Sequence, residues 1–486
     1  MALMNGMEYK ESLRKMKPVV YMFGEKMDNP TDHPIIKPSQ NAIAMTYDLA
    51  LQPEYKDLMT VTSTITGNKV NRFSHIYQSI DDMVKKVKMA RLLGQKTCTC
   101  FQRCTTMDTA NALYIVTYEM EQKLGAEYHK RFLKFLREIQ DNDLDVGVAM
   151  TDVKGNRSLR PHQQADPDLF MHVVEERSDG IVVRGAKSNQ SGSINCHYTF
   201  VAPTAAMREE DKDYAVAFAV PTDAEGIIHI YGRQSCDTRK LEGCEIDVGN
   251  YEFGAQETLM IFDNVFVPWE RVFLYKEWEW AGRIPFLFAA NHRQTYGGCK
   301  AGVSDVLIGA ITLLAEYNGL DKLPHIRDKI AEMVQFTETI YSCGLATALE
   351  GQEMSSGSYF VNLLLGNVCK LNVANLPFEM ARRAVDIAGG LVGTIPSGRE
   401  FEHPEIGGYM EKYLKGIPDI PTEHKMRIVY LIQNLLFGTN SVGYVVESIH
   451  GAGPPEAQKS TILRLADFEY KKELAREISG IKRQRA

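Results

Sequence analysis

The sequence has no long apolar run. No stretch approaches the roughly 18 uncharged apolar residues that a membrane-crossing helix requires, so no membrane span is expected. The opening segment, MALMNGMEYKESLRKMKPVV, has no apolar h-region and no cleavage site, so no secretory signal is expected. Positive charge is not in excess: the formal net charge is −7, which argues against nucleic acid as a main partner. There is no internal repeat and no low-complexity tract. No G-x-G-x-x-G follows a strand-like segment, which excludes a Rossmann-type FAD site. The nine cysteines show neither the C-x₂-C zinc knuckle nor the C-x₂-C-x₂-C ferredoxin run. Their odd number and scatter fit a reducing compartment better than a disulfide framework, so a cytoplasmic protein is expected.

What is present is ordinary globular chemistry, with 44% hydrophobic and 24% charged residues. At 486 residues the chain is too long for one core, and its texture changes twice. Residues 1–140 read as a mainly helical domain. SIDDMVKKVKMARLLGQKTCTCFQRC repeats apolar residues at helical spacing, with Ser79 as N-cap and Asp81 and Asp82 in the first turn. The stretch from Val19 to about Ser74 holds most of the early prolines and reads as loops and short pieces. Residues 141–285 read as an antiparallel β-domain. VGVAMTD, GIVVRGAKS, HYTFVAP, YAVAFAVP, GIIHIYG, ETLMIFDNVFVP and RVFLY are short, β-branched and bounded by turn residues. Residues 286–486 read as a helical bundle of four amphipathic segments, the last from Thr422 to about Val446.

Two segments stand out. Cys100 and Cys104 are spaced i, i+4 in GQKTCTCFQRC. His292 and Cys299 are spaced i, i+7 in NHRQTYGGCK, with Tyr296 between them. If both segments are helical, each set projects from one face. Three thiols and an imidazole aimed at a common point suit zinc or an iron–sulfur centre. The competing reading is a set of buried structural cysteines that behave as small apolar residues.

The order of elements, with YMFGEK, RLLGQKT, CFQRC, AMTDVKGNR, DGIVVRGAKS, YGRQSCDTRK, QETLMIFDNVF, HRQTYGGCK, DIAGGL and ESIHGAG, resembles the acyl-CoA dehydrogenase-like flavoproteins. More narrowly, it resembles the 4-hydroxybutyryl-CoA dehydratase family. The resemblance implies an α+β, acyl-CoA dehydrogenase-like fold, with FAD and one [4Fe–4S] cluster per subunit. It also implies a homotetramer (a dimer of dimers) acting on an acyl-CoA thioester. The implied reactions are conversion of 4-hydroxybutyryl-CoA to crotonyl-CoA and of vinylacetyl-CoA to crotonyl-CoA. Matched by position, the cluster ligands are Cys100, Cys104, His292 and Cys299. Cys98 is an extra thiol, which on a helix would point away from the Cys100/Cys104 face.

The implied chemistry is demanding, because a C3 hydrogen lies β to the thioester and is not acidic. A workable route removes the C2 proton and uses the flavin's one-electron chemistry to labilise C3–H. His292 is then the base at C2. As a nitrogen ligand it leaves iron more readily than a thiolate does. Tyr296 is placed to hydrogen-bond the leaving hydroxyl, with a core aromatic as the alternative. Lys300 would stabilise negative charge, or be a solvated lysine. Glu257 and Glu447 would shuttle protons near the hydroxyl, the alternatives being a solvated strand end and a helix end. Gln102 is a weaker candidate. The flavin segments match at Met150, Thr151, Asp152 and Arg157, and at Lys187, Gln190 and Ser191; ordinary turn chemistry is the plainer reading. Ser191 stands where the family uses threonine and would bond flavin N5. Gly389 and Gly390 match glycines that let a neighbouring subunit approach FAD, or else cap a helix. Asp237, Thr238 and Arg239 are placed for contact with the CoA thioester end. A two-component flavin monooxygenase of the 4-hydroxyphenylacetate 3-hydroxylase type, on the same fold, has no use for the four ligands. A flavin- or acyl-CoA-binding protein without turnover is a third reading.

Overall fold

In the computed structural model, which describes residues 3–481, two helices cross backbone to backbone. Helix Arg283–Tyr317 lies against helix Ile80–Thr97. Glycines set the closeness. A Cβ at Gly302 would sit 2.1 Å from the Arg91 carbonyl oxygen, one at Gly298 2.3 Å from that of Val87, and one at Gly94 2.5 Å from that of Cys299. Only a hydrogen fits at each place. The crossing therefore carries the chain beyond Thr97 alongside Cys299.

Ile80–Thr97 starts as read, with the Ser79 hydroxyl accepting from the Asp82 amide. It ends earlier than read. Cys98 takes φ +51 and Gln102 φ +66, and the next helix, Cys104–Leu124, begins at the second cysteine. Cys100 and Cys104 thus leave an irregular turn, not one helical face, which corrects the helical reading of GQKTCTCFQRC. Tertiary partners take over the backbone: Asn250 Nδ2 donates to the Thr97 carbonyl at 2.9 Å, and the Thr99 hydroxyl donates to Asn440 Oδ1 at 3.0 Å. The helical argument for setting Cys98 aside falls with this.

The middle of the chain forms two packed sheets. The first has the order Glu25–Lys26, Val19–Met22, Ile227–Tyr231, Glu257–Pro268, Gly180–Ser191, His172–Glu176. The second has Val272–Tyr275, Val216–Pro221, Tyr198–Val201, Val146–Ala149. Phe218, Met260, Phe262, Val265 and Val201 fill the space between them. All seven strand-like segments form strands. Two features differ from the reading. Val19–Met22 runs parallel to Ile227–Tyr231, so the early loop segment supplies a strand to the middle sheet. Val146–Ala149 runs parallel to Tyr198–Val201, so the β-region is mixed. A four-residue VVYM run beside prolines is too short to show period-2 alternation.

Pro324–Leu349 and Leu363–Ala388 pack on the long central helix. The fourth helical segment stops at Leu436, turns through Gly438, and resumes as a π-helical turn, Val442–Val446, leading into Glu447–His450. Gln234 Nε2 holds the Gly438 carbonyl at 2.9 Å, which stabilises the break. The central helix is long and apolar, but charged residues interrupt it. Within Trp278–Tyr317 an 18-residue window reaches a mean hydropathy of 1.5, long and apolar enough to cross a membrane, but 67% of that window is buried in the fold. It also carries buried Asn291, His292, Arg293, Gln294 and Lys300, which suits a protein core.

Candidate functional site

The central helix presents His292, Tyr296, Cys299 and Lys300 on one buried face, as the 3.6-residue repeat requires. The turn after Thr97 brings Cys100 to this face, and the next helix brings Cys104 and Asp108. The thiols feel one another. The Cys100 thiol, burial and the Cys299 thiol together push Cys104 well above the usual range. Burial pushes Cys299 up to about 12, with Cys100 and Glu447 adding and Lys300 opposing. Cys98 is also buried and pushed up to about 12, but by burial alone. His292 stacks on Phe288 with centroids 5.1 Å apart and meets Tyr296 edge-on at 4.8 Å. Its Nδ1 lies 2.8 Å from Asp108 Oδ2. Burial would raise the Asp108 acid, but Lys86 and His292 hold it below its ordinary value. Among the described residues, no three His, Cys, Asp or Glu side chains close on a single metal ion.

Against this lies a pair of carboxylates. Glu257 begins its strand directly opposite Ser191, the last residue of the neighbouring strand. The Ser191 hydroxyl donates to the Glu257 carboxylate and lies 3.5 Å from Glu447 Oε1. Lys300 Nζ donates to Glu447 Oε2 at 2.9 Å and to the Gly443 carbonyl in the π-helical turn. Burial, then Glu447, raises Glu257 well above the carboxylate range, with Ser191 and Lys300 opposing. Burial works against the Lys300 ammonium, yet Glu447, Cys299 and Cys100 raise it overall. The solvated readings of Glu257 and Lys300 are therefore not what the fold makes of them.

Tyr296 sits between two ammoniums, Lys300 at 4.9 Å and Lys370 at 5.1 Å from its ring centroid. Burial, Glu447 and the thiols keep its hydroxyl protonated. A Cβ at Gly451 would lie 1.8 Å from that hydroxyl, so the HGAG turn needs glycine where it closes on Tyr296. Asp108, Lys86 and Lys370 escaped the sequence reading. Their only signal is a charged residue set among apolar neighbours on a helix. Lys370 donates to the Ser448 carbonyl at 2.6 Å, and burial, then Lys300 and Arg293, lowers it to about 7.

The two flavin-candidate segments also meet. Asp152 bridges to Lys187, and the Ser188 amide donates to the Thr151 carbonyl at 2.9 Å. The Lys187 ammonium is engaged by Met150 O, Asp152 Oδ1 and Ala202 O at 3.0, 2.6 and 2.9 Å. Gln190 Nε2 reaches the Thr151 carbonyl at 3.2 Å. Gln256, beside Glu257, is fully buried, and among the described residues neither end of its amide is partnered. Three candidates stay apart. Arg157 is exposed on the following turn, and Gly389 and Gly390 are exposed at a helix end with no described residue within 4 Å of an added Cβ. Gln102 bonds Ser39 O and Asn195 Nδ2, tying the cysteine turn to the segment after Ser191. Asp237 pairs with Arg239 at 3.0 Å and accepts from Thr439, at the edge of a small cavity lined also by Ser235, Lys240, Asn250 and Asn440.

Known proteins resemble this chain in sequence and fold. Family profiles described as 4-hydroxyphenylacetate 3-hydroxylase N terminal and C terminal match residues 5–274 and 281–480. The chain is 53% identical over 489 residues to the 4-hydroxybutyryl-CoA dehydratase/vinylacetyl-CoA-Delta-isomerase of Clostridium aminobutyricum, covering 99% of this chain and 100% of that one. The structure of an oxygen-tolerant archaeal 4-hydroxybutyryl-CoA dehydratase from N. maritimus superposes with a TM-score of 0.97 at 49% identity, covering 99% of this chain and 96% of that one. The oxygenase component of 4-hydroxyphenylacetate 3-monooxygenase complexed with FAD superposes at 0.85 with 22% identity, covering 98% of each chain, which is a likeness of fold. Glutaryl-coenzyme A dehydrogenase, at 12% identity over 98% of this chain and 95% of its own, reaches only 0.51, so the acyl-CoA dehydrogenase-like layout is a looser likeness than the sequence implied. On these grounds the chain belongs to the 4-hydroxybutyryl-CoA dehydratase/vinylacetyl-CoA-Delta-isomerase family, built on the fold of the 4-hydroxyphenylacetate 3-hydroxylases.

Proposed function

We propose that this chain dehydrates 4-hydroxybutyryl-CoA to crotonyl-CoA and isomerises vinylacetyl-CoA to crotonyl-CoA, using FAD and a [4Fe–4S] cluster. What supports the reading is the mutual influence of the Cys100, Cys104 and Cys299 thiols beside Glu447 and Lys300, with His292 on the same helix face as Cys299. The donor set fits the cluster. Buried thiols held up by one another become thiolates once a cationic core enters. A four-iron core is wider than one ion, so its ligands stand further apart than those of a mononuclear site. With Nδ1 facing Asp108, His292 has Nε2 left for iron. For FAD, the supporting features are the paired 150–152 and 187–191 segments and the orphaned Gln256 amide. Met150, Thr151, Asp152, Lys187 and Gln190 would line it, Ser191 would bond its N5, and Arg157 would reach it only from outside. Gly389 and Gly390 would meet it from a neighbouring subunit of a tetramer.

When bound, the flavin supplies one-electron chemistry and the cluster supplies Lewis acidity. The protein's own groups do the rest. His292 takes the C2 proton. Tyr296, kept protonated, donates toward the hydroxyl at C4. Burial and Glu447 raise Glu257 toward its protonated form, and its hydrogen bond to Ser191 offers a path for that proton. Lys300 balances Glu447 and the thiols. The Asp237–Arg239 loop would meet the CoA portion. Nine free cysteines support a reducing, cytoplasmic setting. The test is anaerobic incubation of purified protein with 4-hydroxybutyryl-CoA. Crotonyl-CoA should form without oxygen or added reductant. Hydroxylation of 4-hydroxyphenylacetate with reduced flavin and oxygen, in place of that product, would overturn the reading in favour of a monooxygenase.

A further inference from the structure

Asp108 is wholly buried and holds four donors. Lys86 Nζ lies 2.6 Å and the Tyr77 hydroxyl 3.2 Å from Oδ1. The Thr295 hydroxyl and His292 Nδ1 each lie 2.8 Å from Oδ2. Lys86 is itself wholly buried, and its ammonium also reaches the Asn291 carbonyl at 2.8 Å. A carboxylate whose two oxygens already face an amine and two hydroxyl donors is an acceptor, so the imidazole nitrogen beside it is the donor. The imidazole is held between Phe288 and Tyr296.

We propose that Asp108, whose oxygens already receive Lys86, Tyr77 and Thr295, is the positioning residue that keeps the His292 proton on Nδ1 and so presents Nε2 to the thiols and the substrate. This rests on the reading of His292 as ligand and base. Asp108 stands one turn beyond Cys104 on the same helix, so one element supplies a thiol and orients the histidine. The ion pair would otherwise be a costly way to fill a core. Orienting carboxylates of this kind set the tautomer of a ligating imidazole, and their loss weakens metal binding by about 10–100-fold.

The test compares wild type, D108N and the K86M/D108N double variant, each purified anaerobically as holoenzyme. Iron per chain, the rate of iron loss to a ferrous chelator and the thermal midpoint are measured. The amide introduced by D108N can donate to Nδ1 and move the proton to Nε2. D108N should therefore lose iron about 10–100-fold faster than wild type. It also leaves Lys86 unpaired and lowers the midpoint. The double variant removes the buried charge, so its midpoint should recover while its iron loss stays fast. Recovery of iron retention together with the midpoint would overturn the proposal, because Asp108 would then serve only to neutralise Lys86. A D108N protein that retains iron like wild type would overturn it as well. If D108N does not fold, the double variant decides alone. Wild type that binds no iron would instead sink the cluster reading itself.

Discussion

Glu257, Glu447 and Lys300 show how three charged groups behave when two strands and a helix end bury them together. Glu257 is raised well above its usual 4.5 by burial and by Glu447. The folded protein therefore keeps a proton that the unfolded chain releases. Stability from that proton is full below pH 4.5 and declines as pH rises toward the raised folded value. Glu257→Gln removes the group, so its thermal midpoint should fall less than that of wild type as pH rises above 4.5. Dehydration by the same variant should drop by roughly 10²–10⁴-fold, the usual worth of a proton-transferring group. His292→Ala should abolish exchange of the substrate's C2 protons with solvent, read by NMR in deuterated buffer; unchanged exchange would remove His292 as the base. At this scale the sequence was legible where one helix carries the pattern. His292, Tyr296, Cys299 and Lys300 share a face because a 35-residue helix repeats at 3.6 residues. Asp108 was not legible, since its partner His292 lies 184 residues away and nothing local records the pairing.

At the scale of elements, the site is assembled by a glycine-lined crossing and two helix interruptions. Gly94, Gly298 and Gly302 let the helices touch through their backbones, which sets Cys299 beside the cysteine turn. Gly302→Ala would press a methyl against the Arg91 carbonyl. Overpacking of this kind costs about 1–3 kcal/mol. The variant should melt earlier, and its iron content should fall along with its activity; wild-type melting would show that the crossing has slack. The interruptions were harder to read. Periodicity runs through both GQKTCTCFQRC and the segment after Thr422, but Asn250, Asn440 and Gln234 take over backbone or turn groups from distant parts of the chain. The strands were legible because they are β-branched and bounded by turns. Val19–Met22 was not, because its partner strand, Ile227–Tyr231, is far off in the chain.

At the scale of the whole molecule, the helices read at either end come together around one wall while the sheets supply Ser191 and Glu257. The C-terminal helix Phe468–Ile478 leaves Phe468, Tyr470, Leu474 and Ile478 exposed, apolar surface that suits assembly. The proposed tetramer predicts four times the 54.8 kDa chain mass in sedimentation; a monomer would contradict that proposal and leave Gly389 and Gly390 without a neighbouring subunit. The proposed dehydration rests on the two cysteine segments sharing one inorganic core. The direct test is anaerobic quantitation of iron and acid-labile sulfide in wild type and Cys299→Ala. Wild type should carry about four of each per chain, as a [4Fe–4S] cluster requires. The variant should lose most of both while keeping its fold. Wild-type protein without iron, or a variant that keeps all of it, would contradict the account.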